Sequence, residues 1–257
     1  MNRLIGLGLM LGVLVAPAYG QDLDILEGPR GIGPGSHGLY RADQLGRALS
    51  RTDGIVSIPI ALGLFADSPE PHISREQVQA ALFDGPSARG TVTDAYREMS
   101  RGAIDVRGDV LPWTRTGVAI DSAAGASAGL GGDAQVYTHF VEVLTAADPF
   151  TDFGQYDNDG PDGIANSGDD DGYVDIIAFE YLEIAASCGR PERSIWPHKW
   201  RFSSWVQDGA FETGDASAQD SVPFVKVDEY ITQSVAGCDG TSVQDASVIA
   251  HEFGHVL

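Results

Sequence analysis

The chain predicts an α+β domain with a mostly central mixed sheet, a backing helix and a final helix carrying metal ligands. Three observations lead there. Runs of strand type alternate with stretches of helical periodicity through most of the sequence. The 257 residues, 43% of them hydrophobic, suffice for one sizeable core. The last apolar helical run carries His251-Glu252-Phe253-Gly254-His255, the HExxH pattern.

In chain order, Ile55 to Phe65 (IVSIPIALGLF) is rich in β-branched residues and reads as a buried strand, with Pro59 marking a bulge or an edge. Ser74 to Phe83 and Thr91 to Met99 read as helices, the second with Thr91 or Thr93 as its N-cap. Ala103 to Trp113 alternates as strands turning at Gly108-Asp109. Asp133 to Ala147 is an amphipathic helix, because Val136, Phe140, Val143 and Leu144 recur at helical spacing. Tyr173 to Tyr181 and Val222 to Ile231 read as further strands. Ala246 to Ala250 then lead helically into the motif, with Thr241 or Ser242 as the expected N-cap.

The termini set the compartment. Arg3, the short apolar stretch Leu4 to Val15 and the small residues around Ala18-Tyr19-Gly20 predict a signal peptide over 1–20, cleaved after Gly20, so the mature protein is expected to be secreted and free of a membrane span. Residues 21–50, with Gly31-Ile32-Gly33-Pro34-Gly35, read as an irregular arm or pro-segment. That arm has no cysteine, which excludes an inhibitory thiolate from it. The formal charge is −21, and it becomes −22 once Arg3 leaves with the signal. Such acidity repels nucleic acid and anionic membranes and favours cations. In an exported chain the two cysteines, Cys188 and Cys238, predict a disulfide. It would close a loop of about 50 residues and stabilise by roughly 4 kcal/mol in the chain-entropy model.

Two segments predict metal chemistry. On a helix, His251 and His255 share one face at i and i+4, so two imidazoles converge on one ion. Glu252 is placed beside them to take a proton from water rather than to bind the ion. Buried imidazoles need partners, and zinc supplies one for each. The second segment, DNDGPDGIANSGDDDGYVD from Asp157 to Asp175, holds seven aspartates and no basic residue. Calcium takes six to eight oxygens, and Asp alternating with Gly at sharp turns wraps such an ion. The expected calcium ligands are Asp157, Asp159, Asp171 and Asp175; the spacing is not that of an EF-hand.

Several stretches together resemble the immune inhibitor A family of secreted bacterial metalloproteases. They are LFDGPSARGTVTDAYREMSRGAIDVRGDVLPW at 82–113, DFGQYDNDG at 152–160 joined to DGYVD at 171–175, SIWPHKW at 194–200 and VIAHEFGHVL at 248–257. The resemblance implies a zincin-like metalloprotease catalytic domain over 51–257, with His251 and His255 as zinc ligands and Glu252 as base. Protein or peptide substrates are implied with it. The family's motif runs on to a further ligand, so the site is expected to be incomplete at the C-terminus, and the 257 residues alone are expected to be inactive. His198, within the tryptophan-rich segment, reads as structural. A rival reading is a calcium-stabilised secreted adhesion or binding module with a non-catalytic metal site. An intact Glu252 argues against it.

Overall fold

The computed structural model describes residues 53–189, 193–205 and 209–255. The expected signal peptide and arm lie outside the described residues. The main sheet is built on β1 (Gly54–Leu64), which pairs in parallel with β2 (Ile104–Val110), with the short β3 (Thr114–Arg115) and with β4 (Ile177–Tyr181). Next to β4 comes parallel β8 (Glu229–Ser234), and antiparallel β5 (His198–Arg201) closes the far edge. The order is β2-β1-β4-β8-β5. A separate antiparallel pair joins β6 (Phe211–Ala216) to β7 (Phe224–Val227).

Alternation along the strands divides the core in two. Val56, Ile58, Ile60 and Leu62 of β1 face one side, where they meet α1 (Arg75–Gln79), α2 (Val92–Met99) and α5 (Ser247–Gly254) through Val78, Val92, Tyr96, Ile249 and Phe253. Ala61, Ile177, Phe179 and Tyr230 face the other side and pack on α3 (Ile120–Ala124) and α4 (Val136–Ala147). The sheet is thus mixed and covered on both faces, with α4 as the backing helix and α5 carrying the motif.

Local chemistry explains several elements. Ser74 starts α1 with a capping box to Gln77, and Thr91 starts α2 with one to Asp94; each such cap is worth about 1 kcal/mol. Thr93, the other candidate cap, instead donates its hydroxyl to the Val106 carbonyl of β2. The exposed edge of β2 is satisfied by side chains rather than by another strand. The Gln79 amide takes both the Gly108 carbonyl and the Val110 N–H, and Ser100 accepts from Ile104 N–H.

Four expectations are corrected. Ala103–Trp113 does not turn at Gly108-Asp109, because β2 runs straight through both. Gly108 is needed since the Phe83 ring lies across it, 2.1 Å from where a Cβ would stand. Val222–Ile231 is two strands in two sheets. The chain changes sheet at Asp228, whose carbonyl accepts from Phe202 N–H and whose carboxylate takes the N–H and hydroxyl of Ser203. Tyr173 joins Lys226 by an isolated bridge outside any strand, and the strand proper begins at Ile177. Helix α5 is not capped by Thr241 or Ser242. Both are held by Asp239 in the preceding turn, and Asp245 takes the N–H of Ser247 at the true start.

Pro59 needs no bulge. β1 pairs with β2 over Gly54–Ile60 and with β4 only from Ile60 onward. The Ile60 carbonyl points to β2, where it accepts from Leu111, so the neighbouring Pro59 nitrogen faces the side where no ladder has yet begun.

Candidate active site and metal centre

Helix α5 follows β8 through a loop that is tied down at Cys238. The Cys188–Cys238 disulfide, with Cα atoms 5.3 Å apart, joins the loop after β4 to the loop before α5. Ile249 and Phe253 seat the helix on the sheet, and its other residues follow from helical geometry. His251 and His255 share a flank, their rings 5.0 Å apart and nearly perpendicular. His251 is half-buried and His255 exposed, while Glu252 is only 2% exposed. Two imidazole nitrogens on one face beside a sequestered carboxylate are a donor set that fits a divalent zinc ion. Among the described residues no third His, Cys, Asp or Glu joins this pair in a ligand group.

The same sheet face carries polar groups near the helix. Lys199 of β5 and Glu229 of β8 form a buried ion pair at 2.6 Å that locks the edge strand to its neighbour. Glu180 of β4 accepts from the Gln233 amide, and burial pushes its carboxyl up to about 8. His198 projects to the opposite face. Its Nδ1 lies 2.6 Å from the Trp196 carbonyl and its Nε2 3.3 Å from the Tyr230 hydroxyl, and burial lowers its pKa to about 4.

The acidic segment folds into a compact knot. Asp157, Asp159 and Asp175 each offer an oxygen within 4.8 Å of the others. Asp171 stands outside that trio, with Oδ1 accepting from Tyr173 N–H, yet its charge acts on Asp157 and Asp175. Backbone donors pin the frame: Gly172 N–H to Asp157, Asn158 N–H to Asp175 and Gly160 N–H to Asp170. Asp157 is fully buried, and its Oδ1 has no hydrogen-bond partner among the described residues. Burial first, and then the carboxylates of Asp170, Asp171 and Asp159, push Asp157 up to about 7. Burial likewise drives Asp175 up to about 8, against the N–H of Asn158 and with Asp159, Asp157 and Asp171 adding to the rise. A hard cation would relieve both the burial and the repulsion.

Two further residues escaped sequence reasoning. Tyr96 of α2 touches α5, and the sequence singled it out for no role. His139 sits on α4, buried, with its Nδ1 2.8 Å from the Thr116 hydroxyl and its ring stacked on Phe65; burial lowers its pKa to about 3. A Cβ on Gly63 would meet His139 Nε2 at 2.5 Å, so that glycine is required for the helix to sit down. At the far edge of the sheet from β5, a cavity of about 890 Å³ lined by Arg75, Phe83, Arg97 and Arg107 holds none of the candidate ligands.

A mixed sheet with a backing helix and a ligand-bearing helix on its other face is the zincin-like architecture of a metallopeptidase catalytic domain. Residues 76–257 match the family described as immune inhibitor A peptidase M6, catalytic domain. The chain belongs to that family, and is therefore a protease of the metallopeptidase type whose substrates are proteins or peptides. A comparison with curated proteins gives no match.

Proposed function

We propose that the chain is a secreted zinc-dependent endopeptidase acting on extracellular proteins, with His251 and His255 as zinc ligands and Glu252 as general base. The observation that carries this is the imidazole pair on one flank of α5, 5.0 Å between rings, beside the buried Glu252. Zinc, when bound, polarises the scissile carbonyl and makes a water acidic enough to attack near neutral pH. Glu252 takes the proton of the attacking water and returns it to the departing amine. Its burial keeps bulk water from competing for that proton. Export is supported by the charged, apolar and small residues in succession over 1–20, and no described helix is long and apolar enough to cross a membrane.

The reading includes calcium at Asp157, Asp159 and Asp175, with Asp171 as a nearby charge. Its support is the orphaned Asp157 Oδ1 together with three carboxylates in mutual reach. The rival, a binding module with an idle metal helix, draws no support from a peptidase family match.

The test is Glu252→Gln in the full secreted protein. Zinc content, measured by elemental mass spectrometry, should be unchanged, while cleavage of an unfolded protein should fall by about 10²–10⁴-fold. Undiminished cleavage by Glu252→Gln would remove the proposed base.

A further inference from the structure

Tyr96 of α2 grips helix α5 from one flank. Tyr96, 5% exposed, donates its hydroxyl to the Ala250 carbonyl at 2.7 Å. Its ring meets Phe253 edge-on, with centroids 4.9 Å apart and an interplanar angle of 82°. The hydroxyl also lies against Gly254, 3.4 Å from where a Cβ would stand, so this part of the helix is in direct contact with it. At about 100° per residue, Ala250, Phe253 and Gly254 fall on one flank, and His251 and His255 about a third of a turn round. Tyr96 therefore holds the turn that presents the ligands without standing where the ion would go.

Helix α2 is itself fastened at the other end of this contact. Thr93, three residues before Tyr96, donates to the Val106 carbonyl of β2, and Arg97 pairs with Asp105 of the same strand. The Thr91 capping box fixes the start of the helix. One turn of α2 thus grips the edge strand and the motif helix together. A carbonyl of α5 is bound by a side chain that is in turn braced against the sheet.

We propose that Tyr96 is a positioning residue for the metal centre: by holding the Ala250 carbonyl it sets the last turn of α5, and with it the angle between the two imidazoles and the place of Glu252. This rests on the reading of α5 as the zinc helix. The hydroxyl acts through the helix backbone and touches neither ion nor substrate. Groups that orient metal ligands from behind commonly matter to affinity and rate by about tenfold or more.

The experiment compares Tyr96→Phe with the parent in the full secreted protein, with Val78→Ala as a control in the same core. Three quantities are read at one temperature below melting: zinc dissociation by chelator competition, kcat and KM on an unfolded protein, and the melting temperature. Tyr96→Phe should bind zinc about tenfold more weakly and lose about tenfold in kcat, with KM held within about twofold. Val78→Ala should melt earlier than the parent yet keep its zinc affinity. Parental zinc affinity and kcat in Tyr96→Phe would overturn the assignment, as would an equal loss of zinc affinity in Val78→Ala, since either makes Tyr96 ordinary packing. A parent that neither binds zinc nor cleaves protein would overturn the peptidase reading and this inference with it.

Discussion

Helix α5 and the acidic segment 157–175 both gather potential ligands, but they do so by opposite means. In α5 the backbone's own repeat puts His251 and His255 side by side, four residues apart, with one ring open to solvent. In the acidic segment Asp157 and Asp175 stand eighteen positions apart and meet only because backbone N–H groups fold the loop on itself. The energetic consequences differ as well. Neutral imidazoles cost little to hold together without an ion, whereas buried carboxylates at close range must be either protonated or neutralised by a cation. On the proposed reading, the helix site depends on bracing from outside for its accuracy, whereas the loop site depends on protonation or a cation for its stability.

The largest expected effect separates the two. His255→Ala should abolish zinc binding and cleavage together, because it removes a ligand, yet its melting temperature in calcium should stay within a few degrees of the parent, since His255 is exposed at the helix end. A collapse of the calcium-loaded fold in His255→Ala would mean that the two regions are one cooperative unit.

Calcium removal gives the next effect. At calcium about 100-fold above its dissociation constant, binding stabilises by about 2.7 kcal/mol. For a domain of this size that is roughly 5–10 °C of melting temperature, lost in chelator and visible by calorimetry. Asp157→Asn makes the test sharper. With calcium it should melt below the parent; in chelator it should melt at or above it, because a buried, repelled carboxylate has gone. If the two proteins respond alike to calcium, Asp157 is no ligand.

What could be read from sequence follows the same division between local and distant causes. The motif helix, the Thr91 cap and the Cys188–Cys238 pairing depend on short-range rules or on simple counting, and each is where the sequence put it. Val222–Ile231 was opaque because both of its halves alternate like a strand. Only Asp228, through its bonds to Phe202 and Ser203, decides that they enter different sheets. Gly108 looked like a turn residue until Phe83 arrived from a different element to lie on it. Within the candidate site, the pairing of His251 and His255 on one flank of α5 was legible from spacing, but the contact of Tyr96 was not, since its partner lies 154 residues away. A tyrosine at i+4 from a core valine carries no local sign of such a bond.

Acid tests whether histidines in this fold differ by environment. His139 and His198 have folded pKa values lowered by burial to about 3 and about 4, below the ordinary 6.5. Above about pH 6.5 neither folded nor unfolded forms bind the proton, and their contribution is fully present. As pH falls from there toward 4 and then 3, the unfolded chain gains protons the folded one refuses, so stability is lost at up to about 1.4 kcal/mol per pH unit per histidine. Glu180 acts in the opposite sense: raised to about 8, its contribution is complete below about pH 4.5 and declines as pH rises through 8. From pH 7 to 4 the raised carboxyls of Glu180, Asp157 and Asp175 pull against the two histidines, so the histidine share is read as a difference: toward acid, denaturant melts should show His139→Gln gaining stability relative to the parent, by up to about 1.4 kcal/mol per pH unit. An unchanged slope in His139→Gln would show that its burial does not govern acid unfolding.

The smallest effect concerns a second tether on α5. Arg89 reaches Asp245, just before the helix, at 3.0 Å, and its side chain is 80% exposed. An ion pair so open to water gains little in a high dielectric and loses part of that to salt and to ordering a long side chain, so Arg89→Ala should cost no more than about 0.5 kcal/mol and less still in 0.5 M salt. Zinc affinity and kcat should not move. Asp245 keeps its bond to Ser247 N–H without the arginine, so the first N–H of the helix stays satisfied. Tyr96 and Arg89 thus make contrasting tethers on one helix: a buried neutral hydrogen bond behind the ligands, and an exposed charge pair ahead of them. Should Arg89→Ala weaken zinc binding as much as Tyr96→Phe, the bracing of α5 would be spread along the helix rather than concentrated at its last turn.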